Sequence, residues 1–183
     1  MLEYIYRDLS LSLRWLPAGL AIGVPLSCAA VGFLNRRRRK EGKEPLPWPP
    51  TVIFGIYLAV LGVITFLSRE SGSGSGRIDL KLFSTWGINN RNNAFVIENV
   101  LLFIPYGFLY CWNFPKTGGI RRAALLGAAT SLGIETVQLL TGRGFFQLDD
   151  IVTNTLGAFL GGLLFAGVRK AGRLLAGKGE KRG

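Results

Sequence analysis

The sequence predicts an all-α fold, a polytopic membrane bundle of about five transmembrane helices with the amino terminus outside and the carboxyl terminus cytoplasmic. Three observations predict it. Of 183 residues, 49% are hydrophobic and only 18% charged, too apolar and too unevenly patterned for a soluble domain of this length. Five apolar runs each approach the ~20 residues that a helix needs to cross ~30 Å of hydrocarbon. The 22 Lys and Arg residues are also unevenly placed along the chain.

The first run, Trp15 to Leu34, is followed rather than preceded by its basic cluster and ends in no small-residue cleavage site. It therefore reads as a retained span and not as a cleaved signal peptide. Leu26-Ser27-Cys28 is a loose match to a lipoprotein cleavage box, but Pro25 and the continuing apolar run argue against it. The second run is Trp48 to Leu67. Ser71 to Gly76 then alternates Ser and Gly, the composition of a flexible linker. Arg77 to Phe83 alternates polar and apolar residues before Trp86. Two readings fit: a segment lying along the headgroup boundary with Trp86 as anchor, or a strap packed over the helix ends. The third run, Ala94 to Trp112, includes Glu98 and Asn99; the fourth is Ala123 to Leu140 and the fifth Ile151 to Val168. The chain thus divides into two amino-terminal helices (1–70) with a basic loop, the linker (71–76), a three-helix domain (77–168) and a basic tail (169–183).

Arg36 to Lys40 and Lys43, then Lys116, Arg121 and Arg122, then Arg169, Lys170, Arg173, Lys178, Lys181 and Arg182 all fall on one side of this arrangement. The positive-inside rule makes that side cytoplasmic and turns the 141–150 connection outward. A charge run directly after a span is a topology signal that also meets anionic headgroups, so no nucleic-acid partner is implied. Histidine is absent, which excludes Ser-His and Cys-His catalysis and histidine metal ligation. Cys28 and Cys111 both lie within spans and read as packing residues. No cofactor is expected.

The chemistry concentrates where the last two spans meet: Glu135, Gln138, Arg143, Asp149, Asp150 and Asn154. Ionisable groups at membrane depth cost about 3 kcal/mol each on insertion scales, so they persist where they pair or serve a function. Gly127, Ser131, Glu135 and Gln138 line one face of the fourth span; Asp150, Asn154, Gly157 and Gly161 line one face of the fifth. Gly157 to Gly161 is a GxxxG element, which permits close backbone approach in lipid, and the two faces are expected to meet. Arg143 is placed to bend toward Glu135 or across to Asp149 and Asp150. The result expected is a charged pocket opening outward, with Glu98, Asn99 and, seven residues on, Tyr106 contributed by the third span beside Pro105 and Gly107. Structural roles stand beside this reading. Asp149 or Asp150 also suits the start of a helix, and Gln138 and Asn154 suit interhelical hydrogen bonds.

Asn99-Val100-Leu101-Leu102-Phe103-Ile104-Pro105-Tyr106-Gly107-Phe108-Leu109, then Ser131, Glu135, Gln138 and Arg143, then Asp149-Asp150-Ile151, Asn154-Thr155 and Gly157 together resemble the VanZ-like family of small bacterial membrane proteins. The resemblance covers roughly residues 77 to 168, with Leu82-Phe83 standing where a Pro-Phe pair is expected. It implies a link to low-level resistance against the glycopeptide teicoplanin, and polar positions at Asn99, Glu135, Gln138, Arg143, Asp150 and Asn154.

Three functions follow from these residues. The first is binding of an envelope lipid, a lipid-linked cell-wall precursor or an amphiphilic glycopeptide in the outward pocket, with Arg143 holding an anionic group. The second is intramembrane catalysis on a lipid-linked substrate, with Glu135 as general acid or base and Asp149 with Asp150 as weak candidates for a divalent metal. The third is solute or proton movement, for which five spans without a repeat suit poorly unless the chain forms a homo-oligomer. Binding is the reading favoured.

Overall fold

The computed structural model describes residues 1–67, 78–115 and 118–179. The Ser71–Gly76 run and Arg69, Arg77, Lys116, Lys181 and Arg182 lie outside them. Among the described residues the helices are α1 (Leu2–Leu13), α2 (Leu16–Lys40), α3 (Trp48–Leu67), α4 (Asn90–Asn113), α5 (Ile120–Thr141) and α6 (Leu148–Gly179). Five of them, α2 to α6, are long and apolar enough to cross a membrane, as the five runs predict. The remaining helix, α1, is not announced by any hydropathy run. Leu2, Ile5, Leu9 and Leu13 recur at helical spacing, with Glu3, Arg7 and Asp8 among them, which is an amphipathic pattern. None of its residues is buried.

Bonds between Thr65 and Gln138, Thr51 and Asn113, and Asn99 and Asp150 show that successive spans run antiparallel, so the start of α2, the end of α3, the start of α4, the end of α5 and the start of α6 share one end of the bundle. Between α3 and α4 the chain forms β1 (Ile78–Asp79), which pairs in parallel with β2 (Phe146–Gln147) in the α5–α6 connection; Ile78 faces Phe146 and Asp79 faces Gln147. Residues 78–89 are therefore a strap across the helix ends. Its Ile78, Leu80, Leu82, Phe83, Trp86 and Ile88 side chains are exposed.

Small residues set the helix contacts. The buried positions of α2 are Gly19, Gly23, Ser27, Val31 and Asn35, one every four residues, and Gly19, Gly23 and Ser27 pack on α3. A Cβ on Gly23 would lie 3.0 Å from the Ala59 Cβ. The largest interface joins α4 and α6. There a Cβ on Gly157 or Gly161 would collide with the Val100 or Ile104 carbonyl. The GxxxG element thus presses on α4, not on α5 as expected, because Asn154 rather than the glycines turns toward α5. Where α5 meets α6, Gly127 makes room for Ala158. Phe103, Tyr106, Leu61 and Ala158 form the central core, with Tyr106 stacked on Phe103 at 5.5 Å between ring centres and edge-on to Phe54 at 5.4 Å.

At the opposite, basic end, two buried asparagines fasten the loops. Asn35 donates to the Leu46 carbonyl (3.1 Å) and accepts from its N–H (2.6 Å). Asn113 donates to the Pro50 and Leu109 carbonyls (2.8 and 2.9 Å) and accepts from the Thr51 hydroxyl (2.7 Å).

Candidate functional site: a polar clasp beside a cavity

Gly142 ends α5 in the left-handed conformation (φ 64°), a backbone state that glycine enters without penalty. The chain then doubles back, and the Arg143 N–H reaches the Gln138 carbonyl at 2.9 Å. That turn aims Gln138 and Arg143 at the end of α3. Gln138 Nε2 donates to the Thr65 carbonyl (3.0 Å) and Arg143 Nη1 to the Phe66 carbonyl (2.8 Å). Last-turn carbonyls have no partner within their own helix and carry the negative end of its dipole, so an amide and a guanidinium suit them. Among the described residues no ion pair joins Arg143 to Glu135, Asp149 or Asp150; its guanidinium goes to α3 instead.

The carboxylates divide between neighbours. Glu135, buried in α5, accepts the Gln147 N–H at 3.0 Å and so ties the β2 turn down. Asp149 accepts from the strap: from the Phe83 N–H (2.6 Å), the Thr85 N–H (2.8 Å) and, at 3.4 Å, the Ser84 hydroxyl. Phe83 has φ 59°, a strained state for a bulky residue, and that turn brings two strap N–H groups onto one carboxylate. Asp150 accepts from Asn99 Nδ2 at 2.8 Å, joining α6 to α4. Asn154 Nδ2 donates to Ser131 Oγ at 2.8 Å, joining α6 to α5. Tyr106 lies deeper, in the core, with its hydroxyl 3.0 Å from Thr130 Oγ1.

The structure therefore gathers Asn99, Glu135, Gln138, Arg143, Asp149, Asp150 and Asn154 at one end of the bundle as a clasp holding α3, the strap and α4 to the α5–α6 hairpin. Asp149 and Asp150 turn to different partners, and among the described residues no group of three or more Asp, Glu, Cys or His converges as metal ligands do. Two clasp amides are incompletely used: among the described residues, Gln138 Oε1 and Asn154 Oδ1 are buried without a hydrogen-bond partner. Such orphans are uncommon and mark places where a donor is missing.

Beside the clasp, α1, α3 and α4 line a half-open cavity of about 840 Å³ whose walls include Thr65, Glu98, Asn99, Tyr57, Leu102 and Asp8. Asn99 and Thr65 thus belong to both clasp and cavity. Glu98 Oε1 is buried there without a partner among the described residues. Sequence reasoning missed α1 as a wall, and it missed Thr65, Phe66, Phe83 and Thr85, whose backbone groups carry no side-chain signature. It also missed Asp79, which accepts from the Ser84 hydroxyl (2.9 Å) and the Lys81 N–H (3.0 Å); an acid five residues before a serine in an extended strap was the available signal.

Comparison with known proteins agrees with this anatomy. The VanZ/LLP1 family model matches residues 54–169. The match starts inside α3 rather than at residue 77, in keeping with the bonds that fix the end of α3 to Gln138 and Arg143. Protein VanZ of Enterococcus faecium is 31% identical over 110 residues, 60% of this chain and 61% of that protein, so the matched stretch spans about three fifths of the relative's length. No solved structure matches. With more than half of its length matched, and with five helices fit to cross a membrane, the chain belongs to the VanZ-like family of multi-pass membrane proteins.

Proposed function

We propose that this chain sits in the bacterial cell (plasma) membrane with its strap end outward. There it binds an amphiphilic envelope molecule (a lipid, a lipid-linked cell-wall precursor or an acylated glycopeptide) and contributes to glycopeptide (teicoplanin) resistance. The observation that carries this reading is the large apolar-walled cavity sharing Asn99 and Thr65 with a clasp of buried polar groups. Ligand sites pair such walls with a few placed polar atoms. Family membership supports the resistance role, and the basic loops at the opposite end support the orientation.

The test has two arms. Expression in a teicoplanin-susceptible host is expected to raise the drug concentration that stops growth, and purified protein is expected to retain teicoplanin or a lipid-linked precursor in native mass spectrometry. Retention of neither, with unchanged susceptibility, overturns the proposal. Glu135→Gln separates binding from the catalytic alternative: a catalyst loses its function outright, whereas a binder keeps most of it.

A further inference from the structure

The cavity between α1, α3 and α4 presents three chemistries at once. Its walls are largely apolar, including Leu9 and Leu102. Glu98, eight residues into α4 and so about 12 Å along the helix, keeps one carboxylate oxygen buried with no partner among the described residues. Arg14, at the α1–α2 junction, lines the same cavity, yet no ion pair joins it to Glu98 among the described residues. The neighbouring cations are engaged elsewhere. Arg7 pairs with Asp8 at 3.0 Å, and Arg91 lies over the Phe95 ring, 5.4 Å from its centre.

A buried acceptor without a donor costs the desolvation of that atom, and in a low-dielectric wall the matching donor is a cation with an N–H. An unengaged guanidinium complements a phosphate. Apolar walls complement an acyl chain. A phospholipid with a primary ammonium headgroup carries all three complements in one molecule.

We propose that this cavity takes a primary-ammonium phospholipid, whose ammonium donates to Glu98 Oε1, whose phosphate meets Arg14 and whose chain runs along Leu9 and Leu102. The inference rests on the amphiphile-binding reading above and names the headgroup that the site selects. It makes α1, which covers one wall without burying any residue of its own, the movable side through which a lipid enters.

The experiment is native mass spectrometry of the full chain in neutral detergent with an equimolar mixture of dioleoyl phosphatidylethanolamine, phosphatidylcholine and phosphatidylglycerol. The expected result is about tenfold preference for phosphatidylethanolamine over phosphatidylcholine, since a trimethylated head has no N–H to give the carboxylate. Glu98→Met, which removes both acceptor oxygens, should bring these two to parity, and Arg14→Ala should lower retention of all three. Equal retention of the three by the wild-type chain, as for lipids that merely coat a membrane protein, overturns the inference and leaves amphiphile binding standing. Retention of none also overturns the inference, and the amphiphile reading then stands or falls on teicoplanin and a lipid-linked precursor tested in the same assay. The wild-type preference separates these outcomes by itself, so they remain distinguishable even where a variant fails to fold, as judged by circular dichroism.

Discussion

The two ends of the bundle both bury polar side chains, but they treat them differently. At the basic end, Asn35 and Asn113 use amide nitrogen and oxygen alike on the 46–51 stretch and on α4. At the strap end, Gln138 and Asn154 each leave an oxygen unpartnered among the described residues, and so does Glu98. Fully satisfied groups fix geometry and ask nothing further of the surroundings. Unsatisfied buried acceptors are a standing cost that a membrane protein recovers only when something donates to them. The basic end therefore reads as construction, and the strap end as construction that leaves three acceptors open among the described residues.

Asp149 offers the strongest means of breaking that comparison. Its carboxylate accepts two strap N–H groups, one from the strained Phe83. Bonds to charged acceptors are among the stronger ones, so Asp149→Ala should destabilise the protein by about 3 kcal/mol. It should also free the strap. Thermal unfolding in detergent reads the first effect, and hydrogen exchange at Phe83 and Thr85 reads the second; unchanged protection there would show that the strap is held by something else.

Next in size is Asn113→Leu at the basic end. It strips the donor from the Pro50 carbonyl and the acceptor from Thr51, for an expected loss of about 2 kcal/mol. Amphiphile retention, corrected for the folded fraction, should not change. If Asn113→Leu abolishes retention while the fold survives, the two ends do not divide the labour as described.

Asn154→Leu sharpens the same contrast. The residue gives up one bond, to Ser131, and its other polar atom has no partner to lose. The expected loss is about 0.6 kcal/mol, the average for interhelical hydrogen bonds in membranes. A cost equal to that of Asn113→Leu, measured by the same unfolding midpoint, would mean that Asn154 Oδ1 is engaged after all.

These contrasts also mark what the sequence can and cannot disclose. Hydropathy located all five spans, with Trp48 to Leu67 recovered as α3, because crossing hydrocarbon leaves long apolar runs; α2 and α6 continue past Leu34 and Val168 to Lys40 and Gly179, where basic residues end the apolar run but not the helix. The cost of burying charge singled out Glu135, Gln138, Asp150 and Asn154 as one group, and the structure brings them to one end. Their partners were not legible. Arg143 was expected to meet an acid and meets the Phe66 carbonyl, because a helix end offers partial negative charge whatever its side chains. GxxxG announced a close contact but not its direction, since α4 and α5 both flank α6. The helix α1 stayed hidden because its charges interrupt any apolar run, although its periodicity was there to count.

The smallest expected effect concerns pH and the strap alone. The Lys81 N–H and, next, the Ser84 hydroxyl hold the Asp79 carboxyl below its ordinary value of 3.8. A group whose folded value is depressed contributes stability above its unfolded value and loses it as pH falls through the folded one. The strap turn at 79–84 should accordingly be intact at neutral pH and loosen only on acidification below the ordinary Asp range. Because Asp79 is open to solvent, screening keeps the contribution small. Hydrogen exchange at Lys81, compared between wild type and Asp79→Asn, is the measurement: protection should differ at neutral pH and converge in acid. A difference that persists unchanged after Asp79 has been protonated would assign the strap's order to Asp149 and the β1–β2 bridge without help from this turn.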